Sequence, residues 1–135
     1  MNDPCARPIR LLLVDCQPVV RRGLRMRLAL EEDLVVVGEA GDATEAISLA
    51  RTLRPDVILM EVELPGASGI EATEKLRGAA PHSAVVFFTL RDDAATQERA
   101  RAAGATAFVA KHRTEGALLA TIRGVATERR GRSGA

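Results

Sequence analysis

The sequence predicts an α/β domain, a doubly wound five-stranded parallel sheet with helices on both faces. Three observations carry this. Short apolar runs alternate five times with longer stretches of helical spacing. Those runs are continuous and rich in β-branched residues rather than alternating, as expected of strands buried on both faces. The chain has 135 residues, which suits one domain, and right-handed crossovers between parallel strands then place helices on either side.

The first run, residues 9–14 (IRLLLV), ends at Asp15. Residues 18–30 follow with Val19, Val20, Leu24, Leu28 and, less regularly, Met26 on a helix-compatible face and Arg21, Arg22, Arg25 and Arg27 facing outward as a solvated surface. The second run, LVVVGEA, covers 34–40, and Asp42 and Thr44 then mark a helix start ahead of Ala46, Ile47, Leu49, Ala50 and Leu53. Arg54-Pro55 stops that helix, because proline disfavours α geometry in the residue before it. The third strand is 56–60 (DVILM), followed by the turn-forming EVELPGASG and a short helix over 70–77, where Lys75 and Arg77 suit the negative end of the helix dipole. The fourth strand, 84–89 (AVVFFT), leads to Asp92-Asp93, which suit a helix N-terminus, and that helix closes at Gly104. Residues 105–110 (ATAFVA) read as the fifth strand and 115–127 as the last helix, with Leu118, Leu119, Ile122 and Val125 inward. The domain is therefore expected over 9–128, with residues 1–8 as a tail and 129–135 (RRGRSGA) as a disordered one.

Composition removes several functions. A net charge of +1 gives the domain no general attraction for nucleic acid or an anionic membrane. No apolar run approaches the ~20 residues that span a bilayer, and MNDPCARP lacks the order of a signal peptide, so a cytoplasmic location is the default expectation. Three Phe with no Trp or Tyr argue against stacking single-stranded nucleic acid or a flavin ring. Cys5 and Cys16 bracket the first strand, which at ~3.3 Å per residue holds them beyond disulfide reach, and neither has metal-ligand spacing.

In an open parallel sheet, ligands bind beyond the carboxyl ends of the strands. That rule nominates Asp15 and Cys16 after the first strand, Glu61 after the third, Thr89 after the fourth and Lys111 after the fifth. Polar strand ends alone are weak evidence, since any strand end meets solvent. Their convergence on one crevice is stronger.

Here the chain resembles a family. A strand ending at Asp15, DVILM followed by an acid and LPG, a strand ending in Thr89, and GATAFVAK are similar to bacterial response-regulator receiver domains. VVGEAGDATEAISLARTLRPDVILM and LPGASGIEATEKLR look like the branch in NarL- and LuxR-type transcription regulators, and the resemblance runs from about Ile9 to about Ala126. It implies the flavodoxin-like strand order 2-1-3-4-5. It also implies a phosphoacceptor at the position of Glu61 and an acidic pair for Mg²⁺ at Asp15 and Cys16, with the Glu63 carbonyl as a further metal ligand. Thr89 and Lys111 would read the phosphoryl oxygens, Phe108 would move with them, and Pro65 and Gly66 match the loop after the acceptor.

Two departures strike the chemistry. Glu61 stands where the family has aspartate, and its extra methylene displaces the carboxylate by about one C–C bond, whereas phosphoryl transfer depends on positioning. Cys16 replaces an acid, and a mostly neutral thiol is a poor ligand for a hard cation, so Mg²⁺ at Asp15, Glu61 and Glu63 is expected to be weak or lost. A signalling module independent of phosphorylation is therefore expected, not an enzyme. A histidine kinase is an uncertain partner, and output runs through protein contacts at the 89–111 face or through a homodimer over about 92–126. The longer carboxylate can pair with Lys111, and two outcomes stay open: a built-in mimic of the phosphorylated state, or a frozen inactive site.

Other readings are weaker. A redox role for Cys16 lacks a resolving thiol, and His82 and His112 read as solvated side chains. A flavodoxin-like ligand binder would need a phosphate loop that CQPVVRRG does not offer, and a metal-assisted hydrolase lacks a nucleophile–base pair. No helix-turn-helix follows the last helix, so the chain is expected to be a stand-alone receiver or a piece of a longer regulator, without DNA binding of its own.

Overall fold

A computed structural model describes residues 7–112 and 115–133. Five strands and five helices alternate: β1 (Ile9–Val14), α1 (Pro18–Leu28), β2 (Leu34–Ala40), α2 (Ala43–Leu53), β3 (Val57–Met60), α3 (Gly69–Ala79), β4 (Ala84–Thr89), α4 (Ala94–Ala103), β5 (Ala107–Ala110) and α5 (Glu115–Ser133). All pairings are parallel, as the continuous apolar runs predict, and the sheet order is β2-β1-β3-β4-β5, as the family resemblance implies. Reversal of direction at β1 and β3 opens the switch point beside Asp15 and Glu61.

Alternation along the strands sends side chains to two separate cores. Leu12, Val14, Ile58, Met60 and Phe87 face α2, α3 and α4, while Leu11, Leu13, Leu59 and Val86 face α1 and α5. Burial on both faces holds fully for β3 and for all but one residue each of β1 and β4, but the edge strand β2 is mainly half-buried and Val35 is exposed. An edge strand has one neighbour and less cover, which its apolar composition does not reveal.

Helix starts follow local chemistry. Asp42, Ser68 and Asp93 accept hydrogen bonds from the backbone N–H three residues on, at the N-termini of α2, α3 and α4, and Pro18 opens α1. Gly104 ends α4 at φ +117°, a conformation open to glycine.

Two expectations need correction. The core face of α1 is narrower than expected: Leu28 is buried and Val20 and Leu24 are half-buried, whereas Val19 and Met26 are 83% and 62% exposed. Arg21 instead turns inward, donating to the Asp15 carbonyl and pairing with Glu39 at 3.2 Å. Leu24 and Leu28 still pack against the core, and Arg21 beside them is drawn to Glu39 on β2. The second correction concerns the end of the chain, where α5 runs on to Ser133 through much of the stretch expected to be disordered. Its extension is anchored: Arg129 donates to the Pro81 carbonyl at 3.1 Å and Arg130 to the carbonyls of Arg7 and Pro8 at 3.0 Å.

Candidate functional site

The crevice lies at the carboxyl edge of the central strands. Asp15 follows β1, and its amide donates to the Ala40 carbonyl at 3.1 Å; Glu61 follows β3, and its amide donates to Val14 at 3.0 Å. These bonds extend the sheet by one residue, so both carboxylates leave a rigid platform. Gly69 fixes the other side of Glu61. Its amide donates to the Val62 carbonyl at 2.8 Å, and a Cβ there would lie 2.0 Å from the Glu61 carbonyl oxygen. Only glycine permits that approach.

Lys111, immediately after β5, reaches back across the crevice. Its Nζ lies 2.8 Å from Asp15 Oδ2 and 2.8 Å from Glu61 Oε1. The side chains of Asp15, Glu61 and Lys111 are only 6%, 12% and 16% exposed, so the interactions are poorly screened. Burial alone would lower the Lys111 pKa, but hydrogen bonds and charge attraction from Asp15 and Glu61 outweigh it and hold the ammonium above its ordinary value.

The second oxygen of Glu61 is also occupied. Glu61 Oε2 accepts the Thr89 hydroxyl, the Val62 amide at 2.7 Å and the Glu63 amide at 3.3 Å. Thr89 is fully buried, and its oxygen accepts the Arg91 amide at 3.2 Å. Asp15 Oδ1 meanwhile accepts the Gln17 amide at 2.9 Å. Every carboxylate oxygen of the pair therefore already receives a protein donor. This is the closure the extra methylene of Glu61 makes geometrically available.

A divalent cation does not fit the donors as arranged. An ammonium sits between the two carboxylates, Cys16 is an exposed thiol 3.8 Å from the Glu63 carbonyl, and no cluster of three or more His, Cys, Asp and Glu side chains is placed to hold a metal among the described residues. Mg²⁺ wants near-octahedral oxygen ligation, which these groups could offer only after their present bonds break.

The residues nominated by the strand-end rule thus converge, with Phe108 one step away: it is half-buried and stacked on Phe87, ring centroids 5.9 Å apart at 27°. Cys16 stands at the mouth rather than in the cluster. His112 is exposed and lies 3.5 Å from Asp92, and His82 is exposed on its loop. Cys5 lies outside the described residues. Two arginines add to the site: Arg21, expected from the sequence to face solvent, and Arg91, which no motif singles out. Arg21 holds the Asp15 backbone, and Arg91 spans the mouth from Glu63 (3.4 Å) to Thr96 (3.2 Å) at the start of α4. Arg21 also reaches Glu39, 18 positions on, and Arg91 reaches Glu63, 28 positions back, separations that no local spacing announces.

Residues 11–123 match the response regulator receiver domain model. The chain belongs to the response regulator receiver family. It is 39% identical over 118 residues to the uncharacterized transcriptional regulatory protein YxjL of Bacillus subtilis, covering 87% of this chain and 54% of that protein. It is 33% identical over 104 residues to the nitrate/nitrite response regulator protein NarL of Escherichia coli, covering 77% and 48%. Among solved structures, a LuxR-family two-component response regulator from Aurantimonas sp. superposes with a TM-score of 0.86 at 35% identity, covering 90% of this chain and 87% of that one. The receiver is thus of the NarL/LuxR type, a signalling module rather than an enzyme. Receivers of this family work through output domains and kinases. The chain spans about half the length of the curated relatives it matches. No helix among the described residues is long and apolar enough to cross a membrane.

Proposed function

We propose that this receiver serves a cytoplasmic transcription regulator and signals without accepting a phosphoryl group, with Glu61 acting as a permanent internal ligand for the switch residues. One observation carries the reading: a single carboxylate engages the Thr89 hydroxyl and the Lys111 ammonium together. These are the groups that the family resemblance assigns to reading phosphoryl oxygens. With both already drawn onto Glu61, β4 and β5 are held as a bound anion would hold them, and the stacking of Phe108 on Phe87 agrees. Both oxygens of the Glu61 carboxylate already accept protein donors, Oε1 from Lys111 and Oε2 from Thr89 and Val62, and the thiol of Cys16 is a poor replacement for a metal-binding acid.

A charge-assisted bond of this kind is worth about 1.5–3 kcal/mol, which shifts a two-state equilibrium roughly 10- to 100-fold. Output passes to a partner or output domain through the 89–111 face, or to a second copy through the surface over about 92–126. The test is exposure to acetyl phosphate or beryllofluoride with Mg²⁺, read by backbone amide resonances. Wild type is expected to show no saturable shifts at Glu61 and Thr89, and the double reversal C16D/E61D is expected to gain them. Saturable Mg²⁺-dependent shifts in wild type would overturn the proposal. A companion comparison separates mimic from frozen site: Glu61→Gln weakens self-association or partner binding if Glu61 favours the signalling state, and strengthens it if the site is locked inactive.

A further inference from the structure

At the amino edge of β4, away from the Glu61 crevice, a small cleft lies where the ends of α3, α4 and α5 meet. It encloses about 120 Å³ and is lined by Leu76, Ala80, Val85 and Gly104 with Arg77 and Arg129 among others. That is well below the roughly 300–1,000 Å³ of sites for drug-sized ligands, so only a compact group fits.

Both arginines are seated by backbone and keep most of their donors. Arg77 lies across Gly104, where a Cβ would sit 2.6 Å from its Nε, and gives one N–H to the Ala102 carbonyl. Arg129 gives one N–H to the Pro81 carbonyl at 3.1 Å. A guanidinium carries five N–H groups, so each keeps donors for a further partner. Neither is paired with a carboxylate, and no carboxylate lines the cleft, among the described residues. Asp56, an acid on the same edge, is already engaged by the Arg10 amide at 2.8 Å and by Arg130 at 3.4 Å.

Neutralising the negative ends of α3 and α4 would be a sufficient role for these arginines only if the charges balanced. Each helix end carries roughly half a charge, about one together, against two full positive charges. About one positive charge is left over. His82, between the lining residues Pro81 and Ser83, registers it: burial first, then the charges of Arg54 and Arg129, hold its imidazole below the ordinary value against the pull of Asp56.

We propose that this cleft binds a compact tetrahedral dianion, inorganic phosphate or the phosphate end of a phosphomonoester, on the forks of Arg77 and Arg129. A guanidinium fork takes two oxygens of such an ion at once, which a spherical anion does not offer. Two forks lining one cleft ask for more acceptor oxygens than the two of a carboxylate. Bound there, the anion ties the last turns of α5 to the ends of α3 and α4. This site is separate from the Glu61 crevice and does not depend on how that crevice is read.

The test titrates the whole chain with inorganic phosphate, AMP, acetate and sodium chloride at constant ionic strength, followed by backbone amide resonances and the His82 ring signal. Phosphate or AMP is expected to give saturable shifts at Ala80 and Gly104, to raise the His82 pKa by offsetting Arg129, and to slow amide exchange over 127–130. AMP saturating where phosphate does not assigns a phosphomonoester; phosphate matching AMP assigns the phosphate group alone. Arg77→Gln and Arg129→Gln each weaken binding about tenfold. Arg129→Lys, which keeps the charge without the fork, retains part of the affinity. Arg54→Gln, outside the lining, changes it less than about twofold because solvent and salt screen its charge. Amide resonances away from the cleft report that each variant is folded, and if Arg77→Gln misfolds, Arg129→Gln decides alone. The proposal fails if shifts do not saturate, if acetate or chloride matches phosphate, if Arg54→Gln weakens binding as much as Arg129→Gln, or if the His82 pKa does not rise.

Discussion

The two ends of the sheet use the same chemistry under different conditions. At the carboxyl edge, Asp15, Glu61 and Lys111 form a cluster whose side chains are 16% exposed or less. Near the opposite edge, Arg123 bridges Glu31 and Asp33 at 2.7 and 2.8 Å, and its side chain is 39% exposed. Both are ion networks of good geometry tying distant segments together. Burial separates them: removing one partner from the first strands a charge away from water, whereas the second can exchange its partners for solvent. Good distances therefore do not rank these networks by energy.

Substitution can break that contrast most sharply at Lys111. Lys111→Met leaves two carboxylates facing each other in the crevice, and chemical denaturation is expected to show a loss of about 3 kcal/mol. High pH should do part of the same work. The folded Lys111 pKa is raised, so its contribution is complete below the unfolded lysine value of about 10.4 and disappears as pH climbs through the higher folded value. A denaturation midpoint that falls across this alkaline range in wild type, and falls less in Lys111→Met, would bear out the sign. Thr89→Val removes one donor from Glu61 while the Val62 and Glu63 amides remain, and about 1 kcal/mol is expected. Arg123→Ala should cost under about 1 kcal/mol and lose even that in high salt. If Arg123→Ala equals Lys111→Met, burial is not what distinguishes the two ends.

The fold was legible wherever one local rule dominated. Continuous apolar runs fix β1, β2 and β4 at 9–14, 34–40 and 84–89. The caps at Asp42 and Asp93 are local, and so is the glycine stop at Gly104. What was hidden depended on partners far along the chain. The inward turn of Arg21 on α1 comes with its meeting Glu39 and the Asp15 carbonyl, and the persistence of α5 involves Arg129 and Arg130 meeting Pro81 and Pro8. The crevice residues were nominated because topology brings strand ends together whatever their spacing. The bond from Thr89 to Glu61 was not readable, since sequence gives a side chain's length but not its direction.

Gly69 gives that length its meaning. With the Glu61 amide bonded to β1 and its carbonyl pressed against the start of α3, the backbone at this position cannot retreat. A longer side chain here is a fixed post with a longer arm, and all of the added reach is delivered forward into the crevice. On a looser loop the same exchange of aspartate for glutamate would be absorbed by a small shift of the chain. On the proposed reading, one methylene then decides what the site can hold.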